Sequence, residues 1–201
     1  DAQVRFHNNS LDIKLVTAKY LNSEIHKATA HIRSLNPISP LEVHGIASGP
    51  IKDSMHLLSS TPLKNDFGTL AKALSFTGNN KVQLDFDIPL GNIGKYAVDG
   101  YVEFKNNRML LNDWNLQLDK IKGRLSFNLD GLESERLSAT LLGSPTSVKV
   151  SHDNKGNTVF DSEVKLDTNQ LSKIFQDFPV DIIDGSTEWN VKLALPPLSR
   201  K

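Results

Sequence analysis

The chain has 201 residues, and 23 Lys plus Arg balance 23 Asp plus Glu, so its formal net charge at neutral pH is zero. This balance gives no electrostatic support for binding nucleic acid or an acidic partner. Cysteine is absent, which excludes disulfides and thiolate metal sites. The hydrophobic fraction is a modest 38%, as expected of a sheet that keeps one face in water.

Residues 1–49 form the first predicted segment, in which apolar residues alternate but turn residues are sparse. Leu11, Ile13 and Leu15, for example, share one parity. Because side chains alternate faces along a strand, this pattern predicts strands with one apolar face. The chain has no apolar run near the roughly 18 residues of a membrane span. It starts at Asp1 without Met, and we interpret it as an interior segment of a longer protein.

Residues 50–76 interrupt the alternation, and two amphipathic helices are predicted there. Pro50 suits the first position of a helix, and the apolar residues behind it recur at helical spacing, which predicts a helix over 50–60. Thr61-Pro62 is typical of an N-cap followed by a proline at the first helical position. A second helix is therefore predicted over 62–75.

Residues 80–196 are predicted to form an antiparallel meander, interrupted by a third helix near 168–177. Apolar and polar residues alternate, and turn residues recur about every eight to twelve positions, as at Asn106-Asn107 and Asn112-Asp113. The prediction is therefore a mainly β fold. One large, strongly curved antiparallel sheet forms a groove, carries about three short helices, and spans residues 1–201 as one segment.

No pattern in the sequence is typical of an enzyme. There is no G-x-S-x-G, no H-E-x-x-H, no Walker A loop and no G-x-G-x-x-G. The six histidines are scattered without the spacing of metal ligands. Asp85 and Asp87 share a strand face and resemble a glycosidase pair, but they lie opposite Leu84 and Phe86, which predicts exposure to solvent. No catalytic residue, cofactor or metal is therefore predicted.

The apolar face of the predicted sheet is larger than three short helices can cover. The sheet must fold over on itself, either as a closed sandwich filled by its own side chains or as a groove for acyl chains. The sequence does not separate these two forms. Trp114 and Trp189 fall at apolar parity and are either packed or directed at a ligand. The residues predicted to line the groove are Leu84, Phe86, Phe104, Trp114, Leu116, Leu118, Leu125, Phe127, Val150, Val164, Val191 and Leu193.

Three cations share one parity ahead of the Asp130-Gly131 turn: Lys120, Lys122 and Arg124. They would suit a phosphate headgroup at the margin of the sheet. A solvated face beside Asp119 explains the same cations equally well, so both interpretations stay open.

Five short stretches carry a family resemblance. They are Ser39–Gly45 with Gly49-Pro50, Thr61-Pro62-Leu63, Gly100–Phe104, Leu137–Pro145, and Gly185–Trp189 running to Leu195-Pro196. In this order they resemble the large AsmA-like proteins of Gram-negative bacteria, and most closely the YhdP family. The resemblance covers about residues 40–195, and each stretch is structural rather than catalytic.

The resemblance implies an elongated β-groove protein that is anchored in the inner membrane, crosses the periplasm and conducts phospholipid between the inner and outer membranes. The expected partners are phospholipid or another acyl-chain lipid and adjacent repeats of the same chain. Contact with the membrane is expected through parts outside this segment, since the family's N-terminal membrane helix is missing here. The alternative is a non-catalytic structural or interaction module, a closed sandwich-like spacer of a large envelope protein.

Overall fold

A computed structural model describes residues 1–15, 17–61, 63–90, 95–171 and 185–196 of the chain. An antiparallel sheet of 13 strands dominates these residues, accompanied by three short α-helices and one 3-10 turn. The predicted mainly β fold with few short helices is therefore confirmed. None of the helices in these ranges is long and apolar enough to cross a membrane.

The first part of the sheet contains five strands, which alternate apolar and polar residues as predicted. They are β1 (Ala2–His7), β2 (Ser10–Leu15), β3 (Ala18–Tyr20), β4 (Ser23–Ile32) and β5 (Leu41–Pro50). Two helices follow in the predicted insertion, α1 (Ile51–Ser60) and α2 (Lys64–Ala73). Thr61, predicted to cap the second helix, is instead the C-cap of α1, and its hydroxyl donates a hydrogen bond to the Leu57 carbonyl at 2.8 Å.

The second part of the sheet contains eight strands. They are β6 (Leu74–Thr77), β7 (Asn79–Ile88), β8 (Ala97–Leu111), β9 (Leu116–Asn128), β10 (Leu132–Leu141), β11 (Ser144–His152), β12 (Thr158–Asp167) and β13 (Ser186–Leu195). A short helix, α3 (Thr168–Leu171), follows β12. It begins at the predicted position, and the rest of the predicted helix, 172–177, lies outside the described residues.

The strands pair almost entirely with their neighbours in sequence. Their order across the sheet is β1-β2-β4-β5-β7-β8-β9-β10-β11-β12-β13, while β3 pairs with β4 and β6 pairs with β8. Because β1 and β13 each have one neighbour among the described strands, the sheet is not closed. The helices α1 and α2 leave the sheet after β5, and the chain returns to it through β6 and β7, which both pair with β8.

Strand β8 runs through Asn106-Asn107, where a turn was predicted. Asn106 has a φ of 68°, and the pairing with β9 shifts register at this point, which is the geometry of a β-bulge. The fully buried Asn107 side chain accepts a hydrogen bond from the Lys105 amide at 2.8 Å and donates one to the Thr77 carbonyl at 3.2 Å. Asparagine tolerates the left-handed region, so a residue type that favours turns here continues a strand.

The sheet curves enough for its apolar face to fill itself in the region of β8 to β12. A void of only about 20 Å³ is lined there by residues from β6, β8, β9, β10, β11 and β12. The side chains of five successive strands therefore converge on one small space. A void this small is usual in a closely packed protein interior.

Candidate functional site

An apolar cavity of about 340 Å³ lies between the sheet and helices α1 and α2. Strands β4, β5, β7, β8 and β9 contribute to its lining. The helices contribute Ile51, Leu58 and Phe67, and Leu63 lies in the link between them. Protein interiors rarely contain unfilled spaces larger than a water molecule. A cavity of this size, lined mainly by aliphatic and aromatic side chains, has the character of a site for an apolar ligand.

Small residues on one face of β5 leave much of this space unfilled. Gly45, Ala47 and Gly49 alternate along that face, and all three line the cavity. A Cβ atom added at Gly45 would meet no atom within 4 Å. These small residues are the signal in the sequence that could have indicated the cavity. Without the strand register they indicated only a strand with weak alternation.

Four of the twelve residues predicted to line a groove line this cavity. They are Leu84, Phe104, Leu125 and Phe127. Phe86 lies two residues after Leu84, on the same face of β7. Its ring does not line the cavity but stacks on Tyr96, with ring centroids 5.7 Å apart. The predicted apolar positions of β7, β8 and β9 are therefore brought together around one space.

Six other predicted lining residues lie away from the cavity. Leu118 is 8% exposed and faces the void of about 20 Å³, and Val150 and Val164 are also buried in the core. Leu116, Val191 and Leu193 are half-buried and pack against that core. Contact of these six residues with lipid stays a prediction.

The two tryptophans have different surroundings. Trp114 lies in the 3-10 turn Asn112–Trp114 and is 52% exposed, so its placement on an apolar strand face was wrong. The alternation of side chains between the two faces of the sheet ends at Leu111, the last residue of β8. It does not continue through the 3-10 turn that holds Trp114. Trp189 is half-buried on β13 and packs against the core, where Val164 is its cross-strand partner.

The three predicted headgroup cations lie on the exposed side of β9. Lys122 and Arg124 alternate with Ile121 and Leu125, which are buried, so they point away from the cavity. Lys120 is also exposed, at a residue with a φ of 54°. The Arg124 guanidinium lies 3.9 Å from the centroid of the Tyr101 ring. A role in headgroup binding stays a prediction for all three.

Charged residues on the exposed face of the sheet pair with residues on neighbouring strands. Arg108 Nε donates a hydrogen bond to Asp119 Oδ1 at 2.6 Å, and this bond, followed by one from Gln117, lowers the pKa of the Asp119 carboxyl. Asp85 is exposed, as predicted, and is paired with His44. Within the described ranges, no group of three or more His, Asp or Glu side chains is arranged to hold a metal ion.

The cavity has one polar end, where α1 begins. Buried side chains of Ser23, Asp53 and Asn80 contribute to the lining there. They come from the first residues of β4, the first turn of α1 and the start of β7. The cavity is thus apolar along most of its wall and hydrogen-bonding at one end.

Comparison with known proteins gives one family and one curated relative. The family described as YhdP protein matches residues 1–200. The relative is the intermembrane phospholipid transporter YhdP of Escherichia coli (strain K12), which is 28% identical over 150 residues, or 73% of this chain. The matched part is 12% of the length of that transporter. No solved structure matches the chain.

Proposed function

Because this chain belongs to the YhdP family, we propose that it is a segment of an envelope-spanning, bridge-like protein that conducts phospholipid between the inner and outer membranes. The cavity of about 340 Å³ is the observation that carries the proposal, since its lining suits acyl chains. The curated relative is named as an intermembrane phospholipid transporter. We place the segment in the periplasm, within a protein anchored in the inner membrane.

The apolar face also continues past the cavity toward the β1 edge of the sheet, which supports an open conduit. Apolar residues occupy matching positions on five paired strands. One such row is Val4, Ile13, Ala30, Val43 and Phe86. An adjacent repeat that paired with β1 would extend this face, because an edge strand offers unpaired amide and carbonyl groups.

The proposed role is non-catalytic. Among the described residues that line the cavity, Asp53 is the one carboxylate, and there is no His, Lys or Arg. A hydrolase would need a nucleophile with a base, or a pair of carboxylates, at the site. The lining offers binding surface and no such pair.

A structural role is the second candidate, and the closed region of β8 to β12 favours it. The void of about 20 Å³ leaves no room for an acyl chain there. We propose that this region supports the wall of the cavity as a packed module, while lipid occupies the space under α1 and α2.

Native mass spectrometry of the chain, purified from a Gram-negative host, tests the lipid proposal. We expect co-purified phospholipid on the unmodified chain and loss of most of it in Gly45→Phe. The added ring enters open space at an ordinary backbone conformation, so the variant should fold. The matched control is Gly68→Phe in α2, where an added Cβ also meets no atom within 4 Å but the residue does not line the cavity. A chain free of lipid, or a folded Gly45→Phe with undiminished lipid, contradicts the proposal.

A further inference from the structure

The polar end of the cavity is built from side chains that are almost entirely removed from solvent. Asp53 is 5% exposed, and Ser23 and Asn80 are comparably buried. Gly49 pairs with Asn80 across β5 and β7, and the Ser23 hydroxyl lies against Gly49. Three strands and the first turn of α1 therefore meet around the Asp53 carboxylate.

The Asp53 carboxylate has hydrogen bonds to only one of its two oxygens. Oδ2 accepts from the Asn22 amide and from the Ser23 hydroxyl, both at 2.8 Å. Among the described residues, Oδ1 has no hydrogen-bond donor, and the side chain lines the cavity. A buried carboxylate normally carries enough donors or an opposite charge to offset its loss of water. Here one oxygen of a residue that lines the cavity retains acceptor capacity.

The position of Asp53 explains how the negative charge is held without a cation. It lies in the first turn of α1, where the amide groups of a helix favour negative charge. The described part of the lining contains no Lys, Arg or His side chain. A ligand with an anionic end, such as a fatty acid carboxylate, would meet like charge here, whereas an ammonium group would supply both a donor and a positive charge.

We propose that this cavity takes an acyl-chain lipid whose polar end carries an ammonium group, with that group bound to Asp53. The chain would lie along the apolar wall formed by β5, β7 and β8. This inference rests on the proposed function, because it assigns the polar end of the same lipid site. It goes further by assigning the selectivity of the site to one side chain.

Three single-chain probes of equal length test this proposal on the 201-residue chain: dodecylamine, dodecanol and dodecanoate. The affinity of each probe is measured by its displacement of a fluorescent apolar dye at neutral pH, at concentrations below the critical micelle concentration of the probe. We expect dodecylamine to bind about tenfold or more tightly than dodecanoate, as a charge-assisted hydrogen bond provides. In Asp53→Asn this preference should fall to within about threefold, while dodecanol binds as before. The matched control, Asp87→Asn on the exposed face, should keep the full preference.

The outcomes separate this inference from the function on which it rests. Failure of all three probes to bind overturns both the lipid cavity and the ammonium site. Binding of dodecanol with equal affinities for dodecylamine and dodecanoate overturns the ammonium site alone, and so does a preference that persists in Asp53→Asn. If Asp53→Asn does not fold, Ser23→Ala replaces it. That variant removes one donor from the carboxylate, so the preference for dodecylamine should rise, and a fall would contradict the proposal.

Discussion

Leu118 and Lys122 have the same parity on β9, yet Leu118 is buried and Lys122 is exposed. Between them, Lys120 has a φ of 54°, and the pairing of β9 with its neighbours shifts register. A bulge adds a residue to one strand and so exchanges the two faces beyond it. Substitutions at the two positions should therefore have very different effects.

We expect Leu118→Glu to lower the free energy of unfolding by several kcal/mol, because it buries an unpaired carboxylate in a closely packed region. The control Lys122→Glu should stay within about ±0.5 kcal/mol, as exposed substitutions usually do. Urea denaturation of both variants measures the difference. A folded Leu118→Glu of nearly unchanged stability would mean that Leu118 faces an open groove, which is one of the two forms that the sequence left open.

Asp119 should make part of the stability depend on pH. Its folded-state pKa is lowered below 3.8 by hydrogen bonds from Arg108 and Gln117. A lowered folded pKa contributes stability that is present above the unfolded value and is lost as pH falls through the folded value. We therefore expect Asp119→Asn to flatten the decline in stability as the pH falls below about 4. Thermal unfolding across that range measures it, and an unchanged acid limb would contradict the assignment.

At the scale of elements, the continuity of β8 depends on the bulge at Asn107. The buried side chain of Asn107 satisfies the Lys105 amide and the Thr77 carbonyl, and it thereby joins β6 to β8. Without it, two backbone groups lose their partners. We expect Asn107→Ala to cost about 2 kcal/mol or more, measured by chemical denaturation. The exposed neighbour provides the control, since Asn106→Gly keeps the left-handed conformation and should change stability little.

The elements themselves could largely be predicted from sequence, because period and turn chemistry are local. The alternation in Val82, Leu84 and Phe86 predicted β7, and helical spacing predicted α1 and α2. Two local predictions were wrong. Asn106 lies in a β-bulge and not in a turn, and Trp114 lies in a 3-10 turn and not on a strand. Asn and Trp occur in either structure, so residue type could not decide.

The site was less accessible to prediction from sequence than the elements. The cavity depends on which strands the helices cover and on the register that places Gly45 opposite Leu84. Neither follows from a local pattern. Asp53 gave no signal, since a single acidic residue in the first turn of a helix is ordinary. The position of Asn22 and Ser23 against it is a long-range contact.

For the whole molecule, the open edge at β1 should govern association between copies. Val4 and Phe6 are 57% and 71% exposed on a strand that has one neighbour among the described strands, and such edges promote pairing between chains. We expect the chain to associate with rising concentration, and the double variant Val4→Lys, Phe6→Lys to remain monomeric. Light scattering after gel filtration measures this. The control Gln3→Lys, on the other face of β1, should associate as the unmodified chain does, and equal association of all three would contradict the prediction.

The near-sequential pairing of the strands makes the length of this sheet adjustable. The main path has eleven strands, so at about 4.8 Å per spacing it extends about 48 Å across the hydrogen-bonding direction. Because most strands bond only to their neighbours in sequence, a hairpin can be gained or lost without any distant strand changing partner. Each such event would change the span by about 10 Å. The span of a fold of this kind can therefore change in evolution through duplication or deletion of single hairpins.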